Sequence, residues 1–69
     1  MAGSVYKLIE LTGTSDLSIE DAVNKALSKA GDSVREMRWF QVTETRGTIS
    51  GTKVGEWQVT IKVGFKVEE

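Results

Sequence analysis

From Glu56 to Val67 apolar and polar residues alternate cleanly. Trp57, Val59, Ile61, Val63, Phe65 and Val67 fall on one side; Glu56, Gln58, Thr60, Lys62, Gly64 and Lys66 fall on the other. A period of two predicts a strand over Val54–Val67 with one face on a core. Upstream, Met37–Ser50 (MRWFQVTETRGTIS) is dominated by aromatic, β-branched and Thr residues and contains no Pro, which predicts a second long strand. Ser50-Gly51-Thr52-Lys53 between them predicts a hairpin turn. The period changes earlier in the chain. Ile19, Ala22, Val23, Ala26, Leu27, Ala30 and Val34 recur at i, i+3, i+4 and i+7, an amphipathic helix ending near Arg35 or Glu36. Ser18 is its N-cap candidate, and Glu20 and Asp21 put negative charge on its positive end. Val5–Thr12 predicts the first strand, its alternation imperfect enough for both faces to be partly covered, and Gly13–Asp16 predicts the turn into the helix. The fold class expected is α+β: β-α-β-β, a three-stranded antiparallel sheet wrapped around one amphipathic helix, with the first strand pairing with the last in the order 1-3-2.

The second strand is too long for the domain. At ~3.3 Å per residue it reaches ~43 Å, whereas a compact chain of this size has a radius of gyration of ~11 Å. It must curl sharply, project onto a neighbouring subunit, or both. Its faces are also unequal: Phe40 and Val42 lie on one, and Trp39, Gln41, Thr43 and Thr45 on the other. A Trp amid short polar residues suits a surface that meets a flat ligand or another subunit. If Ile49 pairs with Val54, Trp39 lies opposite Gly64 and Thr45 opposite Gln58, all on the face that no helix covers. Trp39 and Gln58 are then six residues apart along the strands, ~20 Å, so one small ligand touches both only if two subunits supply them.

Composition narrows the chemistry. Sixty-nine residues form a single domain over 1–69, with residues 1–4 outside the pattern and expected to be unstructured. A chain this short is marginal alone and needs a staple. It has no Cys and no His, which excludes disulfides, zinc fingers, and thiol or imidazole catalysis. Oligomerisation is the staple left. The net charge of −1 is evenly scattered, so neither nucleic acid nor a membrane surface is expected as a partner. The N-terminus lacks the layout of a signal peptide and no apolar run approaches ~20 residues. With the absence of Cys this fits a cytoplasmic protein.

Taken singly, the chemistry-bearing residues are weak signals. Trp39 reads first as a core or interface aromatic and only then as a ligand platform. Trp57 reads as core or rim, and Arg46 beside Gly47 as a solvated arginine at a bend. Glu10, Glu44 and Glu56 form no catalytic pair, and Thr12-Gly13-Thr14-Ser15 lacks the lysine of a phosphate loop.

Taken together, they resemble a family. E-x-x-G-T-S at Glu10–Ser15, W-F-x-V at Trp39–Val42, R-G at Arg46-Gly47 and W-Q-V…K-V-G-F at Trp57–Phe65 stand in the order and spacing of the dodecins, small flavin-storage proteins, over Val5–Glu69. The resemblance implies a hollow dodecamer of cubic symmetry, with flavins held as stacked pairs between symmetry-related tryptophans at two-fold axes. Trp39 would be that tryptophan and Gln58 the residue that hydrogen-bonds the isoalloxazine ring. Arg46 matches a bacterial-type flavin contact, with Thr45 and Thr48 flanking it as further cofactor-binding positions. The cofactor implied is FMN, with riboflavin and FAD as related flavins. Some bacterial members are also associated with coenzyme A. Lys66 stands where related sequences often carry Arg. Glu44 matches an acidic position that holds a divalent ion in some archaeal members, but the residues themselves give no metal site.

Three functions compete on this basis. A storage protein holds the flavin stacked on an indole, whose electron donation quenches the excited ring. A flavoenzyme of reductase type needs an open ring face and an acid or base; stacking on both faces removes the first, and the chain has neither His nor Cys. A plain oligomeric scaffold would bury Trp39 between subunits without any ligand. The expectation is storage, with no catalytic residues.

Overall fold

The computed structural model describes residues 3–67. The elements are β1 (Tyr6–Ser15), α1 (Ile19–Gly31), β2 (Met37–Ser50) and β3 (Lys53–Lys66). The sheet order is β1-β3-β2 with both pairs antiparallel, as the alternation implied. Gly3 and Ser4 have no regular structure; the expectation for Met1 and Ala2 lies outside the described residues.

The core is small and central. Val59, Ile61 and Val63 of β3 are buried beneath Ala22, Val23 and Ala26 of α1, with Ile9, Leu11 and Leu27 packed at the margin. Trp57 and Phe65 continue the same face of β3, and Val67 the same alternation just after it, but all three are only half-buried. The helix packs on β1 and β3. Every residue of β2 is exposed in the single chain.

Two boundaries differ from expectation for physical reasons. β1 runs on through Gly13 and Thr14 to Ser15 instead of turning after Thr12. Gly13 is there because the helix crosses it: a Cβ would collide with the Ala22 carbonyl oxygen and meet Ala26 Cβ at 3.1 Å. The turn is confined to residues 16–18 and is organised by the buried Ser15. Its hydroxyl donates to Asp21 Oδ2 at 2.6 Å and accepts from the Leu17 and Ser18 amides at 2.9 and 3.3 Å. Ser18 caps as expected, its Oγ accepting from the Asp21 amide at 3.0 Å.

The helix ends at Gly31, four residues short of Arg35. Ser33 and Val34 both donate to the Ala30 carbonyl at 3.0 Å, closing the last turn. Glu36, at φ 62, then reverses the chain, and its carbonyl accepts from the Lys66 amide at 3.0 Å. The start of β2 is thus tied to the end of β3, and the chain cannot stay helical to reach it.

The molecule is a rod of 57 × 20 × 13 Å with a radius of gyration of 14.4 Å, against ~11 Å for a compact chain. Its surface of 5088 Å² exceeds the roughly 4,300 Å² of a compact monomer of 7.6 kDa. The excess is the overhanging β2–β3 hairpin and the apolar side chains it leaves in the open.

Candidate functional site

The face of the sheet away from α1 carries the site residues. Across the three strands the side chains form rows: Leu8, Gly64 and Trp39; Glu10, Lys62 and Gln41; Thr12, Thr60 and Glu44; Thr14, Gln58 and Arg46. The assumed register holds at the turn, where Ile49 pairs with Val54, and again from Val42 back to Trp39; from Glu44 to Thr48 it is displaced by one. Thr43 is an extra residue in β2, a bulge whose hydroxyl donates to the Thr60 carbonyl at 3.2 Å. Arg46, not Thr45, is therefore opposite Gln58, and Thr45 faces Val59 on the helix side. Thr48 pairs with Glu56, in step with Arg46 and Gln58. Gly55, left without a partner between Val54 and Glu56, is the matching irregularity at the turn end, and the displaced stretch between the two gathers Arg46, Gln58 and Thr48 while turning Thr45 away.

At one end of this face lies an aromatic platform. A Cβ at Gly64 would collide with Cε2 and Cζ2 of the Trp39 indole and reach Cη2 at 2.7 Å. Three consecutive ring atoms at such similar distances put that Cβ into the flat face of the ring, not its edge. The indole thus lies face-down on the β3 backbone, filling the space a side chain would take. Its other face points away from the sheet, and Trp39 is 44% exposed. Tyr6 of β1 meets it edge-on, ring centroids 4.9 Å apart and planes at 61°.

At the other end lies a polar cluster. Arg46 Nε donates to Gln58 Oε1 at 2.8 Å, and Gln58 Nε2 reaches Glu56 Oε1 at 3.4 Å. Arg46 Nη1 is also 3.8 Å from Glu44 Oε1. The short bond fixes which way the carboxamide points. Its oxygen keeps one lone pair and its nitrogen one proton, a donor–acceptor pair that fits the imide edge of a planar heterocycle. Arg46 keeps further N–H donors for an oxygen or a phosphate. Between the two ends, Thr12 and Thr60 share a hydroxyl–hydroxyl bond of 2.8 Å.

Gly64 and Gln58 are six residues apart on β3, ~20 Å. Within one chain the platform and the polar cluster do not meet. On the helix side, Phe40 and Val42 of β2 face Ile19, Val23 and Leu27 of α1 across an open apolar groove of about 530 Å³.

A family model described as dodecin matches residues 5–68. The chain belongs to the dodecin family. The curated dodecin of Thermus thermophilus is 48% identical over 67 residues, covering 97% of each chain. The crystal structure of an arginine-to-alanine variant of that dodecin matches with a TM-score of 0.91 at 48% identity, covering 97% of this chain and 98% of that one. Dodecin from Streptomyces coelicolor matches with a TM-score of 0.91 at 39% identity, covering 100% and 99%. The calcium dodecin of Mycobacterium tuberculosis is 34% identical over 64 residues, 93% of this chain and 90% of its own. The β-α-β-β order, three-stranded antiparallel sheet and single helix are those of the dodecin structures, so the fold expected from the sequence is the fold observed.

Of the five expected binding positions, Arg46, Gln58 and Thr48 share one end of the open face, Trp39 sits at its other end, and Thr45 lies on the reverse. Tyr6 and Gly64 were not picked out as site residues. Gly64 was visible as the predicted partner of Trp39. Tyr6 needed the β1–β3 register, which places Leu8 opposite Gly64 and Tyr6 one side-chain step away. Among the described residues no three acidic side chains cluster as a metal site, and no helix is long and apolar enough to cross a membrane.

Proposed function

We propose that the chain is a flavin-storage and buffering protein that binds FMN, or the related riboflavin and FAD, as stacked pairs between the Trp39 side chains of two-fold-related subunits in a closed dodecamer. The observation that carries this reading is the indole lying flat on Gly64 with its outer face open. A buried structural Trp would have both faces packed. An aromatic pair adds ~0.5–1.5 kcal/mol beyond area burial, and an indole against an excited flavin quenches it by electron donation.

Gln58 pairs with the imide edge of the ring, its oxygen taking the ring N–H and its nitrogen donating to a ring carbonyl. Arg46 holds the carboxamide in that orientation and offers its remaining donors to the ligand. Thr48 lines the same end, and Thr45 acts, if at all, from the reverse face. Because platform and cluster are ~20 Å apart in one chain, Trp39 comes from one subunit and Gln58 from another. The partner is a further copy of the chain, without nucleic acid or membrane. Stacking on both ring faces leaves no room for a substrate, so the role is not enzymatic, and the compartment is the cytoplasm.

The test is purification followed by native mass and extraction of the ligand. A yellow particle near twelve chain masses, with quenched flavin fluorescence, supports the reading. The Trp39→Ala variant should keep the mass and lose most of the flavin. If it quenches and retains flavin like the parent, Trp39 is structural and the site is elsewhere. Substrate-dependent flavin turnover would point to the reductase alternative, and calcium in a colourless protein to a ligand like that named for the Mycobacterium tuberculosis relative.

A further inference from the structure

Tyr6 is the aromatic of β1 on the open face, and the binding reading gives it no part. Yet its ring packs against the Trp39 indole at a steep angle, centroids 4.9 Å apart and planes at 61°. The indole starts on β2, crosses over Gly64 of β3 and meets Tyr6 on β1, so it spans the whole width of the sheet. Each neighbour removes a different freedom. The Gly64 backbone sets the height of the ring above the sheet and keeps its inner face from tilting. That floor does not stop the ring from sliding or swinging in its own plane toward β1. The Tyr6 ring, at 61° to it, stands as a wall on that side.

We infer that Tyr6 is a positioning residue for ligand stacking, holding the Trp39 indole in the one pose that presents its outer face to the flavin. This deepens the flavin-binding reading and rests on it. A Trp held in place before the ligand arrives has lost its rotamer freedom already, so the ligand binds without ordering it. The aromatic ring is what matters: Phe supplies it without the hydroxyl, whereas Leu supplies apolar bulk alone.

The experiment uses Tyr6→Phe, Tyr6→Leu and Tyr6→Ala in the full-length protein, each checked for native mass. In a Trp57→Phe background Trp39 is the only tryptophan, so its time-resolved fluorescence anisotropy without ligand reports the freedom of the indole directly. FMN affinity and the fluorescence lifetime of FMN bound at saturation report the stacking. Expected are parent-like values for Tyr6→Phe. In Tyr6→Leu and Tyr6→Ala a fast anisotropy component appears, FMN binds roughly 2- to 12-fold more weakly, the cost of ordering one freed side chain on binding, and the bound-FMN lifetime lengthens. A purely structural role would move native mass and affinity but not that lifetime. Unchanged anisotropy in the Leu variant, or freed indole with parent-like FMN lifetime and affinity, overturns the inference. Failure of the parent itself to bind FMN overturns the storage reading instead.

Discussion

Gly64→Ala is the sharpest test of the platform, because one methyl group is added where the indole lies and nothing else changes. Gly64 does not occupy the left-handed region, so Ala fits its backbone. In a strand interior the change should by itself favour folding by roughly 0.5–1 kcal/mol. The new Cβ, however, would sit 2.7 Å from Trp39 Cη2 and closer still to Cε2 and Cζ2. Carbon atoms pack best at ~3.5–4.0 Å, so the ring must rise by about 1 Å or swing off β3. Either move breaks the Tyr6 edge contact and spoils the parallel approach to the ligand. Ordering the freed indole again on binding costs ~0.5–1.5 kcal/mol, and the spoiled stacking on the ligand a further ~0.5–1.5 kcal/mol. Together they amount to about 1–3 kcal/mol per flavin, a roughly 5- to 150-fold weaker affinity. The assay is FMN titration by fluorescence quenching, beside native mass and thermal unfolding of the ligand-free protein. The expected pattern is stability within about 1 kcal/mol of the parent, the lost Tyr6 contact offsetting the gain in the strand, with weakened, less quenched FMN. Affinity within twofold of the parent, with full quenching, would show that the flavin does not stack on this indole.

Three further outcomes follow from the same geometry. Gln58→Ala should weaken FMN binding up to about tenfold with assembly intact, since one hydrogen bond contributes roughly 0.5–1.5 kcal/mol net; titration measures it. Gly13→Ala should destabilise the fold by about 1–3 kcal/mol as the helix is forced off β1, whereas Gly31→Ala, whose Cβ would meet only Met37 Cε at 3.5 Å, should be neutral or gain up to about 1 kcal/mol; denaturation at one fixed protein concentration separates them. The Asp21 carboxyl is held below its usual 3.8 by the Ser15 hydroxyl and then by Lys25, 3.1 Å away. A carboxyl depressed on folding stabilises the protein above its unfolded pKa and loses that contribution as pH falls through the folded value. Asp21→Asn should therefore be destabilising at pH 7 and progressively less so below pH 3.8, as denaturation across that range would show.

Alternation and helical periodicity made the element order, the sheet order and the identity of the open face legible, because each is a consequence of which residues must be covered. What they missed was set by contacts between elements. Gly13, Thr14 and Ser15 have the composition of a turn, yet Gly13 continues a strand because only a missing side chain lets Ala22 come so close. Val34 prolongs the apolar stripe of α1, yet the helix stops at Gly31 because Glu36 must reach the amide of Lys66. The bulge at Thr43 has no composition of its own: Thr43 and Thr45 are equally good strand residues, and only the Thr60 carbonyl decides which is the extra one. Counted from the turn, the unpaired Gly55 of β3 exchanges Thr45 for Arg46 opposite Gln58 and the Thr43 bulge restores the register, which is why the polar end between them was the part least readable from spacing. Trp39 lies beyond both irregularities, where they cancel and the simple register holds again.

The open flank of β2 also bears on how the site is completed. Apolar side chains emerge on both of its faces: Trp39 away from the helix, Phe40 and Val42 toward it, all more than two-fifths exposed. A single two-fold contact buries one patch against its copy. If it buries the Trp39 face, the groove between α1 and β2 stays open; if it fills the groove, the platform stays open. Covering both needs two different interfaces on each chain, and combining two kinds of rotation closes into a point group larger than a dimer. The proposed dodecamer meets that requirement. It also makes the ligand part of the cover: a flavin pair between two indoles shields the face that the sheet itself leaves bare. Storage of a flat aromatic ligand and burial of an overhanging strand are then met by the same contact.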